Sequence, residues 1–135
     1  WEAYASATAL IRQTKRAMEA HPESYMNKIA SLDKVSGRTA FIAAKEGDEA
    51  GQAVVDKYIQ YIGEGLVDII NIFRPEILII GGGICNEGEY LLKPLREFLR
   101  KHSYGGDLHP AQKLAVAALG NDAGIIGAAF LGKKQ

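Results

Sequence analysis

The sequence predicts an α/β fold that is rich in helix and carries a small parallel β-sheet. The aliphatic run Ile77-Leu78-Ile79-Ile80 enters three glycines, Gly81-Gly82-Gly83, and helical spacing follows. A second apolar run, Lys113 to Ala118, enters Leu119-Gly120-Asn121-Asp122-Ala123-Gly124 and another helical stretch. Helical periodicity fills most of the first 73 residues. The order is three helices, then strand, helix, strand, helix, and the last four can set two strands in parallel through a right-handed crossover. With 135 residues and no internal boundary, the chain is expected to be a single domain over 1–135.

The first helix is expected over 3–20, where Tyr4, Ala7, Leu10, Ile11, Thr14 and Met18 recur at helical spacing. His21-Pro22 ends it, because a residue before proline avoids the α region. Residues 22–35 read as a loop with a partial helical turn. Ser36-Gly37 can cap a second helix from Arg38 to Glu46, which Gly47 stops. Asp48 then caps a long third helix over 49–73, with Ala50, Val54, Tyr58, Ile62, Leu66, Ile69, Ile70 and Phe73 on its apolar face. Gly63 and Gly65 lie inside it at a cost of about 1 kcal/mol each, and read as points of close packing.

Arg74-Pro75 ends that helix and leads into the strand at Ile77–Ile80, whose β-branched Ile79-Ile80 pair favours extended backbone. Lacking polar alternation, this strand is expected to be buried on both faces. A fourth helix follows over 88–101, packed through Leu91, Leu92, Leu95, Phe98 and Leu99. Ser103 to Pro110 is a loop, Lys113 to Ala118 the second strand, and 122–132 a last helix. That helix carries Ala123, Gly124, Gly127, Ala128 and Ala129, small enough for very close packing on a neighbour. Two strands make a poor sheet, so further strands beside them, or an edge buried in an oligomer, are expected.

Lys+Arg and Asp+Glu both number 16, which removes an electrostatic case for nucleic acid or an anionic membrane. No run reaches the ~18 apolar residues of a membrane span, and no signal-peptide pattern opens the chain. The single cysteine, Cys85, excludes an internal disulfide and a cysteine-rich zinc site in this chain. A reducing, cytoplasmic setting is expected. The chain opens at Trp1, inside an amphipathic pattern, and is expected to be a piece of a longer protein.

Three glycines at the end of a strand permit φ > 0 and let a ligand approach the backbone. Ligands of open α/β sheets bind just outside the carboxyl ends of strands, so a phosphate or nucleotide is a natural occupant. The alternative is a tight turn without a ligand. The spacing is neither a dinucleotide fingerprint nor a Walker loop. At the second glycine site, Asn121 or Asp122 can cap the last helix, which explains most of that segment structurally. Its place beside the first loop would also create a shared crevice. Glu2, taken alone, is a solvated carboxylate favoured by a helix dipole. Cys85 reads as a small buried hydrophobe. His21, His102 and His109 are far apart, and no cluster has metal-ligand or Ser-His-Asp spacing.

Three segments together resemble one family: Trp1-Glu2-Ala3-Tyr4-Ala5-Ser6, Pro75 to Gly83, and Leu119-Gly120-Asn121-Asp122-Ala123-Gly124-Ile125-Ile126-Gly127-Ala128-Ala129. Ala44-Lys45-Glu46-Gly47-Asp48 also looks like a stretch the family places before its long helix. It is the ROK family of sugar kinases and sugar-responsive repressors, with an actin-like ATPase (ribonuclease H-like) fold, and the resemblance is strongest to its bacterial glucokinases. The resemblance implies that the chain is part of a C-terminal lobe. Trp1-Glu2 matches the end of a Gly-Cys-x-Glu zinc loop, so Glu2 corresponds to a carboxylate that hydrogen-bonds sugar hydroxyls. Gly81, Gly82 and Gly83 match the adenosine-side loop of the nucleotide site.

It also implies ATP with Mg²⁺, a structural zinc whose ligands this chain lacks, and glucose or a related hexose as acceptor at its 6-hydroxyl. The family's Asp-x-Gly-Gly-Thr phosphate loop, its Asn-Asp catalytic base and its Glu-x-Gly-His sugar motif are absent from these residues. No catalytic residue is therefore assigned here, and the isolated chain is expected not to phosphorylate sugar. The alternative is the effector domain of a ROK repressor, in which case nucleic acid would be a partner through an upstream helix-turn-helix. Tyr4-Ala5-Ser6-Ala7-Thr8 and the intact glycines favour the kinase. The family's C-terminal half helps form its dimer, and a homo-oligomer is expected.

Overall fold

Ser6 splits the first expected helix in two. It adopts an extended conformation, and its Oγ accepts from Ala9 N at 3.1 Å, so it caps a new helix in place of continuing the old one. The result is α1 (Glu2–Ala5) and α2 (Ala7–Ala20). Periodicity alone hides this break because the apolar spacing runs through it. The computed structural model describes residues 1–106 and 113–131, with Asn121 described by its backbone alone.

The remaining elements are α3 (Met26–Ile29), α4 (Thr39–Lys45), α5 (Glu49–Phe73), β1 (Ile77–Ile80), a 3-10 turn (Gly83–Glu87), α6 (Glu89–His102), β2 (Lys113–Val116), a second 3-10 turn (Gly120–Asp122) and α7 (Ala123–Leu131). The expected partial turn is α3, and Ser36 Oγ accepts from Arg38 N at 3.3 Å just before α4. Asp48 caps α5 as expected, accepting from Gly51 N at 2.7 Å. Arg74 closes that helix in the left-handed region, φ 47°, and Pro75 prevents its continuation.

Helix α5 is the spine of the molecule. It buries Val54, Val55, Tyr58, Ile59, Ile62, Leu66 and Ile70 against α2, α4 and α6. Its internal glycines are contact points, as expected. A Cβ on Gly63 would stand 2.5 Å from the Phe98 ring of α6, and one on Gly65 would stand 2.1 Å from the Trp1 indole. Their helix-propensity cost is offset by the close approach of these aromatic rings.

Strands β1 and β2 pair in parallel, from Ile77 opposite Lys113 to Ile80 opposite Val116, with α6 in the connection. Leu78, Ile80 and Leu114 pack toward the helical core. Ile77 and Ile79 are 45% and 62% exposed, so β1 is not buried on both faces as its composition predicts. Among the described residues helices cover one face only, and a strand of four aliphatic residues cannot signal which face lacks a cover. The sheet among the described residues has two strands.

Further corrections concern the end of the chain. β2 stops at Val116 rather than Ala118, because Ala117 O accepts from Gly120 N at 3.0 Å and so opens the glycine turn. Helix α7 begins at Ala123 and buries none of its residues, and nothing lies within 4 Å of a Cβ on Gly124 or Gly127. The close packing expected of its small residues is therefore not made against any described residue. The expected loop is seen over Ser103–Gly106, while residues 107–112 (with His109 and Pro110), residue 132 and a capping side chain of Asn121 lie outside the described part.

Candidate functional site

The carboxyl ends of β1 and β2 lie side by side, so each strand delivers its glycine segment to the same edge of the sheet. Ala117 N donates to Ile80 O at 2.9 Å, which extends the pairing by one step and holds the two segments together. Beyond that step the segments part. Gly81, Gly82, Gly83, Cys85 and Asn86 from one side, and Val116 to Ala118 and Gly120 from the other, line one crevice of about 220 Å³.

Local chemistry shapes both walls. Gly82 has φ 90° and Gly120 φ 55°, conformations that disfavour a side chain, and no atom lies within 4 Å of where either Cβ would be. The backbone is thus bent and bare where it faces the crevice. Cys85 N donates to Gly82 O at 3.1 Å and starts the 3-10 turn, and Gly88 N closes it on Cys85 O at 3.1 Å. Cys85 Sγ donates to Ile80 O at 3.3 Å, and partial burial pushes the thiol pKa up. The thiol is half-buried where the sequence predicts full burial.

A second cavity, of about 350 Å³, adjoins the first through Gly81 and is lined by Trp1, Ala5, Tyr58, Leu66 and Ile80 among others. Trp1 is anchored there: its indole Nε1 donates to Tyr61 O at 2.7 Å and its ring lies over Gly65. Tyr58, buried to 2% exposure, donates its hydroxyl to Ala5 O at 3.0 Å and fixes α1 against α5. Glu2 is exposed, directly after the anchored Trp1 at the start of α1. The residues singled out from the sequence thus fall into two places: the glycines form the crevice, and Glu2 follows a residue that lines the adjoining cavity.

Sequence reasoning missed Asn86 and the stretch Val116 to Ala118 as lining residues. The signal that identifies them is position, since they sit at or just past the ends of parallel strands. It also missed Glu87, which is 8% exposed and paired with Lys45. Among the described residues no three His, Cys, Asp or Glu side chains gather to hold a metal ion. No described helix is long and apolar enough to cross a membrane.

A family model described as the ROK family matches residues 1–135. The glucokinase of Streptomyces coelicolor is 33% identical over 138 residues, covering 99% of this chain and 44% of its own length. The glucokinase of Thermotoga maritima is 36% identical, over 99% of this chain and 42% of its own. The crystal structure of a ROK family glucokinase from Streptomyces griseus, in complex with glucose and AMPPNP, superposes with a TM-score of 0.85 at 36% identity, covering 97% of this chain and 43% of that one. The chain therefore spans less than half the length of these relatives.

Proposed function

On the premise that the chain belongs to the ROK family, we propose that it is the C-terminal part of an ATP-dependent glucokinase, which transfers a phosphoryl group from ATP to the 6-hydroxyl of glucose or a related hexose. It has the actin-like ATPase fold of the Streptomyces griseus glucokinase it superposes on. One observation carries the proposal: two glycine segments, both leaving carboxyl ends of parallel strands, wall one crevice. Crevices in that position take nucleotides in open α/β sheets.

In this reading Gly81, Gly82 and Gly83 meet the adenosine side of ATP. Their lack of side chains leaves a flat backbone surface for a purine or ribose, and a Cβ on Gly82 would occupy space that is open in the structure. Glu2 hydrogen-bonds sugar hydroxyls, held in register by the Trp1 anchor. A carboxylate is suited to this because it accepts from two neighbouring hydroxyls at once. Mg²⁺ would neutralise charge on the transferring phosphoryl group in the complete site. The chain binds and orients one side of the reactants and contributes no group to the proton transfer. It forms one partial lobe over 1–135, self-associates, and works in the cytoplasm. The kinase is favoured over the repressor because the glucokinases are 33% and 36% identical over 99% of this chain, against 28% over 93% for a xylose repressor.

Titration calorimetry with ATP and ADP tests the crevice. The wild-type chain is expected to bind, and Gly82→Val to weaken binding at least tenfold, since a β-branched residue is strained at φ 90° and fills the floor. Equal affinity in the two would overturn the assignment. A coupled ATP and glucose assay on the same chain is expected to show no turnover.

A further inference from the structure

The glycine loop is tied to the helical layer by a buried charge. Glu87 closes the 3-10 turn Gly83–Glu87, and its side chain is 5% exposed. Its Oε2 accepts from Lys45 Nζ at 2.5 Å, across 42 residues of sequence. Lys45 is the last residue of α4, and its ammonium lies 5.3 Å from the centre of the Tyr90 ring of α6. Tyr90 in turn meets Phe41 of α4 edge-on at 6.1 Å and donates its hydroxyl to Gln52 Oε1 of α5 at 2.7 Å. The ring beside the ammonium is thus held by α4 and α5, while the Lys45 side chain itself stays 44% exposed.

The loop has few other ties: Ile84 packs partly on the helical core, Cys85 Sγ donates to Ile80 O, and Gly88 O accepts from Leu91 N and Leu92 N where α6 begins. Glycines with positive φ flank the turn, Gly82 at 90° and Gly88 at 59°, and the bonds from Cys85 N and Gly88 N close on the turn's own backbone. Those bonds shape the turn without setting its height against the helices. We propose that Lys45 and Glu87 are positioning residues of the crevice: their ion pair holds the segment from Gly81 to Asn86 where it meets the nucleotide. This rests on the nucleotide reading given above. A carboxylate with so little water around it needs its counter-charge. Without the ammonium, the loop must swing outward to hydrate Glu87, and the crevice wall goes with it.

The test uses the 135-residue chain and the variants Lys45→Met, Lys45→Arg and Lys45→Met/Glu87→Met, each checked for folding by circular dichroism. Loop position is read by amide hydrogen exchange at Ala117, whose N–H donates to Ile80 O where the loop leaves β1, and by the rate of alkylation with iodoacetamide of Cys85, whose Sγ donates to the same oxygen. Nucleotide affinity is read by ADP titration. Lys45→Met is expected to speed exchange and alkylation about tenfold and weaken ADP binding roughly 10- to 100-fold, the scale of a small misplacement at a binding wall. Lys45→Arg keeps both near wild type, and the double variant restores both because no buried charge is left to expel. Should Lys45→Met not fold, Lys45→Gln carries the same test, because it also leaves the buried Glu87 carboxylate without its counter-charge. Unchanged exchange and alkylation overturn the proposal whatever the nucleotide does. A wild-type chain that binds neither ATP nor ADP overturns the nucleotide reading instead, and the loop measurements still decide whether the pair holds the loop.

Discussion

Tyr58 shows how one side chain can join distant parts of this fold. Its hydroxyl donates to Ala5 O across 53 residues, and the ring is 2% exposed in the face of α5. Burial, with a smaller contribution from the Cys85 thiol, pushes the phenol up to about 12 from its ordinary 10.0. Below pH 10 it is protonated in both folded and unfolded chains. Between 10 and about 12 the unfolded chain ionises first, so folding stability falls by about 2–3 kcal/mol across that window. Tyr58→Phe is expected to cost about 1 kcal/mol at neutral pH through the lost hydrogen bond. It should also lose this part of the alkaline decline. Urea denaturation at neutral and at strongly alkaline pH checks both, and an undiminished decline in Tyr58→Phe would reject the account. The apolar periodicity of α5 made Tyr58 recognisable as a core residue, but its hydroxyl's partner was not, because Ala5 O is freed only by the break at Ser6.

At the scale of elements, Asp48 does more than cap. Its carboxylate accepts from Gly51 N at 2.7 Å, from Tyr25 N at 2.9 Å and from Ser24 Oγ at 2.8 Å, so it ties the segment before α3 to the start of α5. Burial pushes its pKa up, but these three bonds outweigh burial and hold it below the ordinary 3.8. The stability they supply is complete above that value and is lost as pH falls through the lower folded pKa. Asp48→Ala is expected to cost about 1–2 kcal/mol at neutral pH and to flatten the acid limb of the stability curve. Thermal melts at neutral and acid pH measure it. An acid limb as steep as wild type would mean another carboxylate is responsible. The cap was legible in the sequence, since an aspartate stood before a long helical pattern. The link to Ser24 and Tyr25 was not, because nothing in residues 22–35 specifies where that loop returns.

For the whole molecule, the decisive feature is the apolar surface left open on the sheet and at helix ends. Ile79 is 62% exposed, Ile72 and Phe73 are 72% and 73%, and Ile125 and Leu131 reach 75% and 89%. Such an accumulation is rare on a chain that stays monomeric. The 14.6 kDa chain is expected to self-associate, with a mass by light scattering that rises with concentration. A constant monomer mass across the range would exclude this. Ile79→Lys should lower the association, because it sets a charge on the open face of β1 while Leu78 and Ile80 keep their places toward the core.

Legible in the sequence were the long spine with its cap, the two strands and their glycine turns. Each of these is written in local chemistry: apolar spacing, a capping carboxylate, β-branched pairs, residues that tolerate positive φ. It also carried the family resemblance, in motifs that lie at strand and helix ends. Tertiary structure decided what required two distant segments at once. It set the parallel register that brings both glycine turns to one crevice, the seat of Trp1 over Gly65, the Lys45–Glu87 pair behind the loop, and the choice of which face of β1 is covered. Spacing along the chain specifies which residues can share a face, whereas the partner of that face is fixed by packing between elements, and a run such as Ile77-Leu78-Ile79-Ile80 is compatible with a cover on either side.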